Sequence, residues 1–270
     1  MRKLWAVLLG CCAAAPLWAA CLSAEAIDPP LRSAPLVVFG EFHGTRELPA
    51  LVGDYLCFRV DQGEPLTLAL ELPLDEQALL DAAVARAEDQ RALVEGRFWS
   101  RERQDGRSSA AMLALLERVR ELREAGATIE VLALDPRGSG SERDAGMAER
   151  LRAHRDQHPD QAIVALVGNV HARRVPGNPI DPEYRSLAVQ LADLSPLTLD
   201  VRHGEGGQFW GCRPDACGPQ TVPVVAPWKM LTPGLRLHPA SDRRSWHHGY
   251  WWVQSLSASP PAIESLRAAE

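Results

Sequence analysis

Short, largely apolar runs alternate along the chain with longer stretches in which apolar residues recur every three or four positions. The runs at 35–39, 66–72, 128–134, 162–167 and 197–201 have the pattern of strands covered on both faces. The stretches between them read as helices. One starts near Leu48, one runs over 75–95 with Asp75 as its cap, and one runs over 108–125 and stops at Gly126. Two more cover 142–158 and 184–192, and an irregular polar loop fills 97–107. Strand and helix in regular succession predict an α/β fold, a mostly parallel sheet with helices on both faces.

The last third departs from this rhythm. It is rich in Gly, Pro and Trp, and it predicts antiparallel additions near the C-terminus: a hairpin and a closing strand at 250–253 that pairs antiparallel at a sheet edge. There is no solenoid period. Gly138-Ser139-Gly140 is a lone glycine pair, too little for a dinucleotide fingerprint.

Polar residues gather where the strands stop. Gly40-Glu41-Phe42-His43-Gly44-Thr45-Arg46-Glu47 follows the first, Glu71 closes the second, and Asp135 closes the third, ahead of Arg143 and Asp144. Gly168-Asn169-Val170-His171 follows the fourth. In a parallel sheet these ends share one side, the side on which ligands bind. His43 and His171 suit general base and acid catalysis near neutral pH, with Glu41 or Glu71 orienting a ring or acting as base. The set His43, His171 and Glu41 equally suits a divalent metal with an open position. Arg46, Arg107 and Arg143 suit an anionic group or an oxyanion, and Glu47, Asp135 and Asn169 complete the substrate-binding candidates.

Each residue also has a plainer reading. Glu47 and Asp144 can serve helix N-termini, Asp135 before Pro136 can be turn chemistry, and Asn169 can satisfy loop backbone. Burying several acids and histidines together without a task is unfavourable, which tips the set toward a site. His154 and His158 share a helical face at ligand spacing, but without the HExxH pattern they read as exposed. His247-His248 are adjacent on an extended segment and point apart. Ser108 and Ser109 read as helix caps, Trp251-Trp252 as core and edge packing, and no GxSxG elbow marks a serine nucleophile.

The N-terminus reads as an export signal: Met1-Arg2-Lys3, then an apolar run from Leu4 to Ala20. Ala24-Glu25-Ala26 offers a cleavage site, and Cys21 offers lipidation instead. The expected organisation is a signal peptide over 1–26 and a single domain over 27–270. The product is then periplasmic or a membrane-anchored lipoprotein, with the lipid as its only membrane contact. In an oxidising compartment Cys212 and Cys217 are expected to form a disulfide, and Cys57 reads as a buried, inert thiol. A formal net charge of −6 gives no support to nucleic-acid binding. Lys3 and Lys229 are the only lysines, so Schiff-base chemistry has one candidate at most.

The octapeptide at Gly40 resembles the first motif of erythromycin-esterase-like proteins. Gly40-Glu41-Phe42-His43 taken with Gly168-Asn169-Val170-His171 also resembles the paired motifs of ChaN-type haem-binding lipoproteins and Tiki metalloproteases. The resemblance spans 35–253 and implies an α/β sheet with its site at the strand C-termini. Its branches imply different chemistry. An esterase-like member would use His43 as base on a water, hydrolysing an ester or lactone. A Tiki-like member would use His43 and His171 as metal ligands to cleave a peptide. A ChaN-like member would bind haem as a homodimer without turnover, with tyrosine and histidine on the iron. No haem tyrosine is evident here, since Tyr55, Tyr184 and Tyr250 lie outside the matching motifs. The resemblance thus implies a hydrolase acting on a small molecule or peptide, with non-catalytic haem binding as the alternative.

Overall fold

A computed structural model describes residues 21–268 except Arg243. The apolar leader core expected at 4–20 lies outside the described residues. The chain runs β1 (Leu36–Glu41), α1 (Glu47–Val60), β2 (Leu66–Pro73), α2 (Gln77–Ala85), α3 (Gln90–Glu95), α4 (Ala110–Glu124), β3 (Ile129–Asp135) and α5 (Gly140–Gln157). It continues through β4 (Ala162–Gly168), α6 (Leu187–Gln190), β5 (Leu197–His203), β6 (Gly207–Cys212), β7 (Cys217–Val222), β8 (Gly234–Leu237), β9 (Gly249–Val253) and α7 (Ala262–Ala268).

Seven strands form one sheet in the order β3-β2-β4-β1-β5-β9-β8, and β6 and β7 form a separate antiparallel pair. The fold is therefore α/β and mostly parallel, with antiparallel additions near the C-terminus. The strands alternate their apolar side chains between two cores. Val37, Phe39, Leu68 and Leu70 face α1 and α4, whereas Leu36, Val38, Ala69 and Ala165 face α5 and α6. Covering both faces is what lets the strands be apolar throughout.

Several expected elements differ in detail. The helix expected over 75–95 is two helices, because Arg86 is extended at φ −146°, ψ 138° and breaks the run. Asp75 caps nothing; its carboxylate pairs with Arg137 at 2.7 Å. The helix expected over 184–192 is one turn, started by Ser186, whose Oγ accepts the Val189 N–H. Ser109 caps α4 by accepting the Met112 N–H, in agreement with expectation. The closing strand does not pair only at an antiparallel edge. β9 lies inside the sheet, parallel to β5, and β8 supplies the antiparallel edge beyond it.

Among the described residues the cysteines form two disulfides, Cys212–Cys217 across the β6–β7 turn and Cys21–Cys57. Cys57 is therefore not a free thiol. Residues 21–26 also pack on the body: the Leu22 N–H donates to Asp54 O at 3.2 Å, and Ile27 bridges to Leu235 and is fully buried. A sulfur bonded to Cys57 cannot at the same time carry a thioether-linked lipid. Among the described residues no helix is long and apolar enough to cross a membrane.

Candidate active site

The C-terminal ends of β1, β2, β3 and β4 bring acids, arginines and histidines into one buried cluster. β1 ends in Glu41, and the chain turns so that His43 folds back over it. The His43 Nδ1–H donates to Glu41 Oε1 at 2.8 Å, and Nε2 stands 3.4 Å from Glu71 Oε2. The turn relies on Gly44, at φ +76°, because a Cβ there would lie 2.2 Å from Trp210 O. The hairpin β6–β7 braces this turn: the Trp210 N–H donates to Gly44 O at 2.7 Å, and Phe209 stacks on Phe42.

Glu71 is the hub. It is buried, and the β2–β3 register shifts beside it, between Leu70 and Pro73. Its Oε2 accepts the Gly168 N–H at 2.8 Å, and its Oε1 accepts Arg143 at 2.7 Å. Arg107 donates to its backbone oxygen at 3.2 Å. Arg143 and Arg107 both reach on to Asp135. Arg143 binds that carboxylate in a fork at 2.8 Å from Nε and from one terminal nitrogen, and Arg107 donates to it at 2.9 Å. Asp105 holds the far edge of Arg107 at 2.8 and 3.1 Å.

His171 completes the cluster from the turn after β4. Its Nδ1–H donates to Asp144 Oδ1 at 2.7 Å, and its Nε2 lies 3.1 Å from an Arg143 nitrogen. Arginine can only donate, so Nε2 is the acceptor and the ring is the neutral Nδ1–H tautomer while that contact holds. Asp144 also accepts the Leu187 N–H and the Tyr184 hydroxyl, each at 2.7 Å. Arg143 and Asp144 sit in the first turns of α5 and aim in different directions, one to the carboxylates and one to the histidine.

Charge decides the protonation states. Burial disfavours a charged His43 ring, but Glu71 and Glu41 outweigh burial and push its pKa up to about 10. Burial likewise opposes ionisation of Glu71, yet His43 and Arg107 hold its carboxyl well below the usual carboxylate range. Asp135 is lowered against its burial by Arg143, and Tyr184 is raised by burial and by Asp144. His43 is therefore protonated at neutral pH, held between Glu41 and Glu71.

The structure brings together Glu41, His43, Glu71, Arg107, Asp135, Arg143 and His171. It separates Arg46 and Glu47 from them, and Asn169 joins through its backbone N–H, which donates to Glu41 O at 3.1 Å. Arg46 donates to Ala258 O at 3.2 Å and Glu47 accepts the Ser257 N–H at 2.9 Å, so both tie down the C-terminal segment. Asn169 packs over Gly40, and its backbone oxygen accepts from His247 at 3.1 Å. Tyr184, Asp105 and the role of Asp144 as the partner of His171 were not foreseen. Only a tyrosine set among loop residues, and an acid directly after an arginine, signal them in the sequence.

The cluster does not fit a divalent metal. A cationic guanidinium already lies against His171 Nε2, and Arg143 and Arg107 already supply positive charge to Glu71 and Asp135. Nor does it fit haem iron, since His43 is held protonated on both nitrogens, His171 engages both of its ring nitrogens, and the Tyr184 hydroxyl is buried against Asp144. Beside the cluster lies a cleft of about 750 Å³. Arg97, Arg101, Arg107, Arg137 and Arg143 line it with Asp135, and Asp105 and Asp75 pair with Arg101, Arg107 and Arg137.

No protein-family model and no curated protein sequence matches the chain. Solved structures do match in fold. A mutant of the erythromycin esterase EreC in its open conformation superposes with a TM-score of 0.53 at 11% identity, covering 72% of this chain and 78% of its own. A succinoglycan biosynthesis protein gives 0.58 at 9% identity, covering 85% and 90%. A Bacillus cereus protein gives 0.57 at 10% identity, covering 86% and 91%. At such identities the likeness is one of fold, and the chain has the α/β fold that these proteins share.

Proposed function

We propose that the protein is an exported, metal-independent hydrolase that cleaves an ester or lactone bearing an anionic group. The observation that carries this reading is the His43 ring held between Glu41 and Glu71. Glu41 fixes the ring through Nδ1, which leaves the Nε2 proton directed at Glu71 across a long contact of 3.4 Å. That loose contact leaves the proton available to a substrate oxygen.

The proton accounting closes. As water attacks the carbonyl carbon, its proton passes to the Glu71 carboxylate. The His43 imidazolium gives its Nε2 proton to the alkoxide as the carbon–oxygen bond breaks. Glu71 then returns a proton to His43 across the gap between them, and both groups regain their starting charge. Arg143 is placed to stabilise the negative charge that grows on the carbonyl oxygen. His171, fixed by Asp144, orients Arg143 and does not itself exchange a proton. The arginine-lined cleft supports an anionic substituent, a carboxylate by preference, because guanidinium pairs with it in two parallel hydrogen bonds.

Two disulfides suit an oxidising compartment and support the export half of the proposal. One structural neighbour is named an esterase, which agrees with the bond type without selecting it. The test is a panel of aryl and alkyl esters and lactones, each offered with and without a pendant carboxylate. Turnover is expected for the carboxylate-bearing members and is expected to vanish in His43→Ala. A panel with no turned-over member, or turnover that survives His43→Ala, refutes the proposal.

A further inference from the structure

A second constellation lies at the opposite end of the sheet, where β3 begins and α5 ends. His154 and His158 stand one helical turn apart, and their rings stack with centroids 4.5 Å apart at 23°. Glu130, near the start of the edge strand β3, turns toward them, with its Oε1 3.6 Å from His158 Nδ1. One ligand atom each from Glu130, His154 and His158 lies within 4.8 Å of the others. His154 is buried, while His158 and Glu130 remain open to solvent on their outer side.

From this arrangement we propose that Glu130, His154 and His158 form a binding site for a zinc-class divalent transition ion. The donor set is two imidazole nitrogens and one carboxylate oxygen, the combination that borderline ions such as zinc prefer over magnesium or calcium. Donors around a tetrahedral ion with bonds of ~2.0–2.1 Å stand roughly 3.3 Å apart. His158 Nδ1 and Glu130 Oε1 stand 3.6 Å apart, close to that spacing, and both now face the neutral Gln161 amide, 3.4 and 2.8 Å away, which an entering ion would displace.

The surroundings resemble the outer shell of a metal site. The Thr67 hydroxyl donates to Gln161 Oε1 at 2.6 Å, so His154 Nε2, 2.7 Å away, is the donor to Thr67. That fixes the tautomer of the buried ring. The Gln161 amide donates to Glu130 at 2.8 Å, which orients the carboxylate. Partners of this kind hold ligands in place before an ion arrives. An ion here would pin the C-terminus of α5 to the edge strand, far from the strand ends where Arg143 and Asp144 sit. Its role would be structural, independent of the hydrolase reading.

The experiment uses the full chain, stripped with a chelator, dialysed and titrated with zinc chloride in a calorimeter. We expect about one saturable zinc site per chain, a higher thermal unfolding midpoint with zinc, and no response to magnesium. His158→Ala and Glu130→Gln, both solvent-facing changes, should weaken binding roughly tenfold or more and abolish the thermal shift. Absence of saturable binding overturns the proposal. So does binding that is equal in wild type and both variants, which would put the ion on other residues.

Discussion

Replacing Glu71 by glutamine removes one charge from the centre of the cluster while keeping its volume. The substituted amide can still accept the Gly168 N–H that Glu71 Oε2 accepts at 2.8 Å. Arg143 keeps its fork on Asp135, and Arg107 keeps Asp105 and Asp135, so neither cation is stranded. The large effect should fall on His43. Its pKa is pushed from 6.5 up to about 10, and Glu71 is the strongest of the groups raising it. At ~1.4 kcal/mol per pH unit, that displacement corresponds to about 5 kcal/mol. The His43 side chain is 22% exposed, and solvent screening reduces this to a few kcal/mol. A raised pKa stabilises the fold fully below ~6.5, and the contribution is lost as pH rises through about 10. Wild type should therefore lose stability over that window, and Glu71→Gln should show a much flatter dependence. The direct assay is a carbon–proton NMR titration of the His43 ring. The wild-type ring should stay protonated through neutral pH, and the Glu71→Gln ring should titrate lower by ~1 unit or more. Activity should fall ~10²-fold or more, because the proton acceptor is gone. A wild-type ring that titrates near ~6.5, or an unchanged titration in the variant, would refute the ion-pair argument.

Three further outcomes follow from the geometry. Gly168→Ala would place a Cβ 3.0 Å from His43 Nε2 and 3.5 Å from Glu71 Oε2, so activity should drop sharply with little change in the unfolding midpoint; an active variant would mean the ring does not work from this position. Tyr184→Phe removes the hydroxyl that donates to the buried Asp144, which should cost about 1 kcal/mol in denaturant unfolding and slow turnover through a less ordered His171; no change in either would show that His171 and the Leu187 N–H suffice for Asp144. Arg97→Ala, at the mouth of the arginine-lined cleft, should raise KM for a carboxylate-bearing ester while sparing a neutral one, and equal effects on both would remove the cleft from substrate binding.

Much of this arrangement is legible in the chain. Five of the six parallel strands stand out because burial on both faces leaves little room for polar residues, and the polar residues that do occur mark the strand ends. Glu41, His43, Glu71, Asp135 and His171 are visible for that reason. Direction is harder to read. Arg46 and Glu47 belong to the same octapeptide as His43, yet the start of α1 turns them toward 257–258. Order within the sheet is also hidden, since nothing in Tyr250-Trp251-Trp252-Val253 records that β9 lies parallel beside β5. Long-range partners escape local patterns altogether. Cys21 and Cys57 are 36 residues apart, and the pairing of Asp144 with His171 exists only once α5 has packed on the sheet. His154 looks exposed on a helix rich in charge, and only Thr67 from β2 shows that it is buried.

The central claim is that the His43–Glu71 pair hydrolyses its ester without a metal, and the most direct measurement is the rate on a carboxylate-bearing ester before and after exhaustive chelation. The account predicts the same rate in both samples. A rate lost on chelation and restored by a divalent ion, in wild type and in His158→Ala alike, would contradict it.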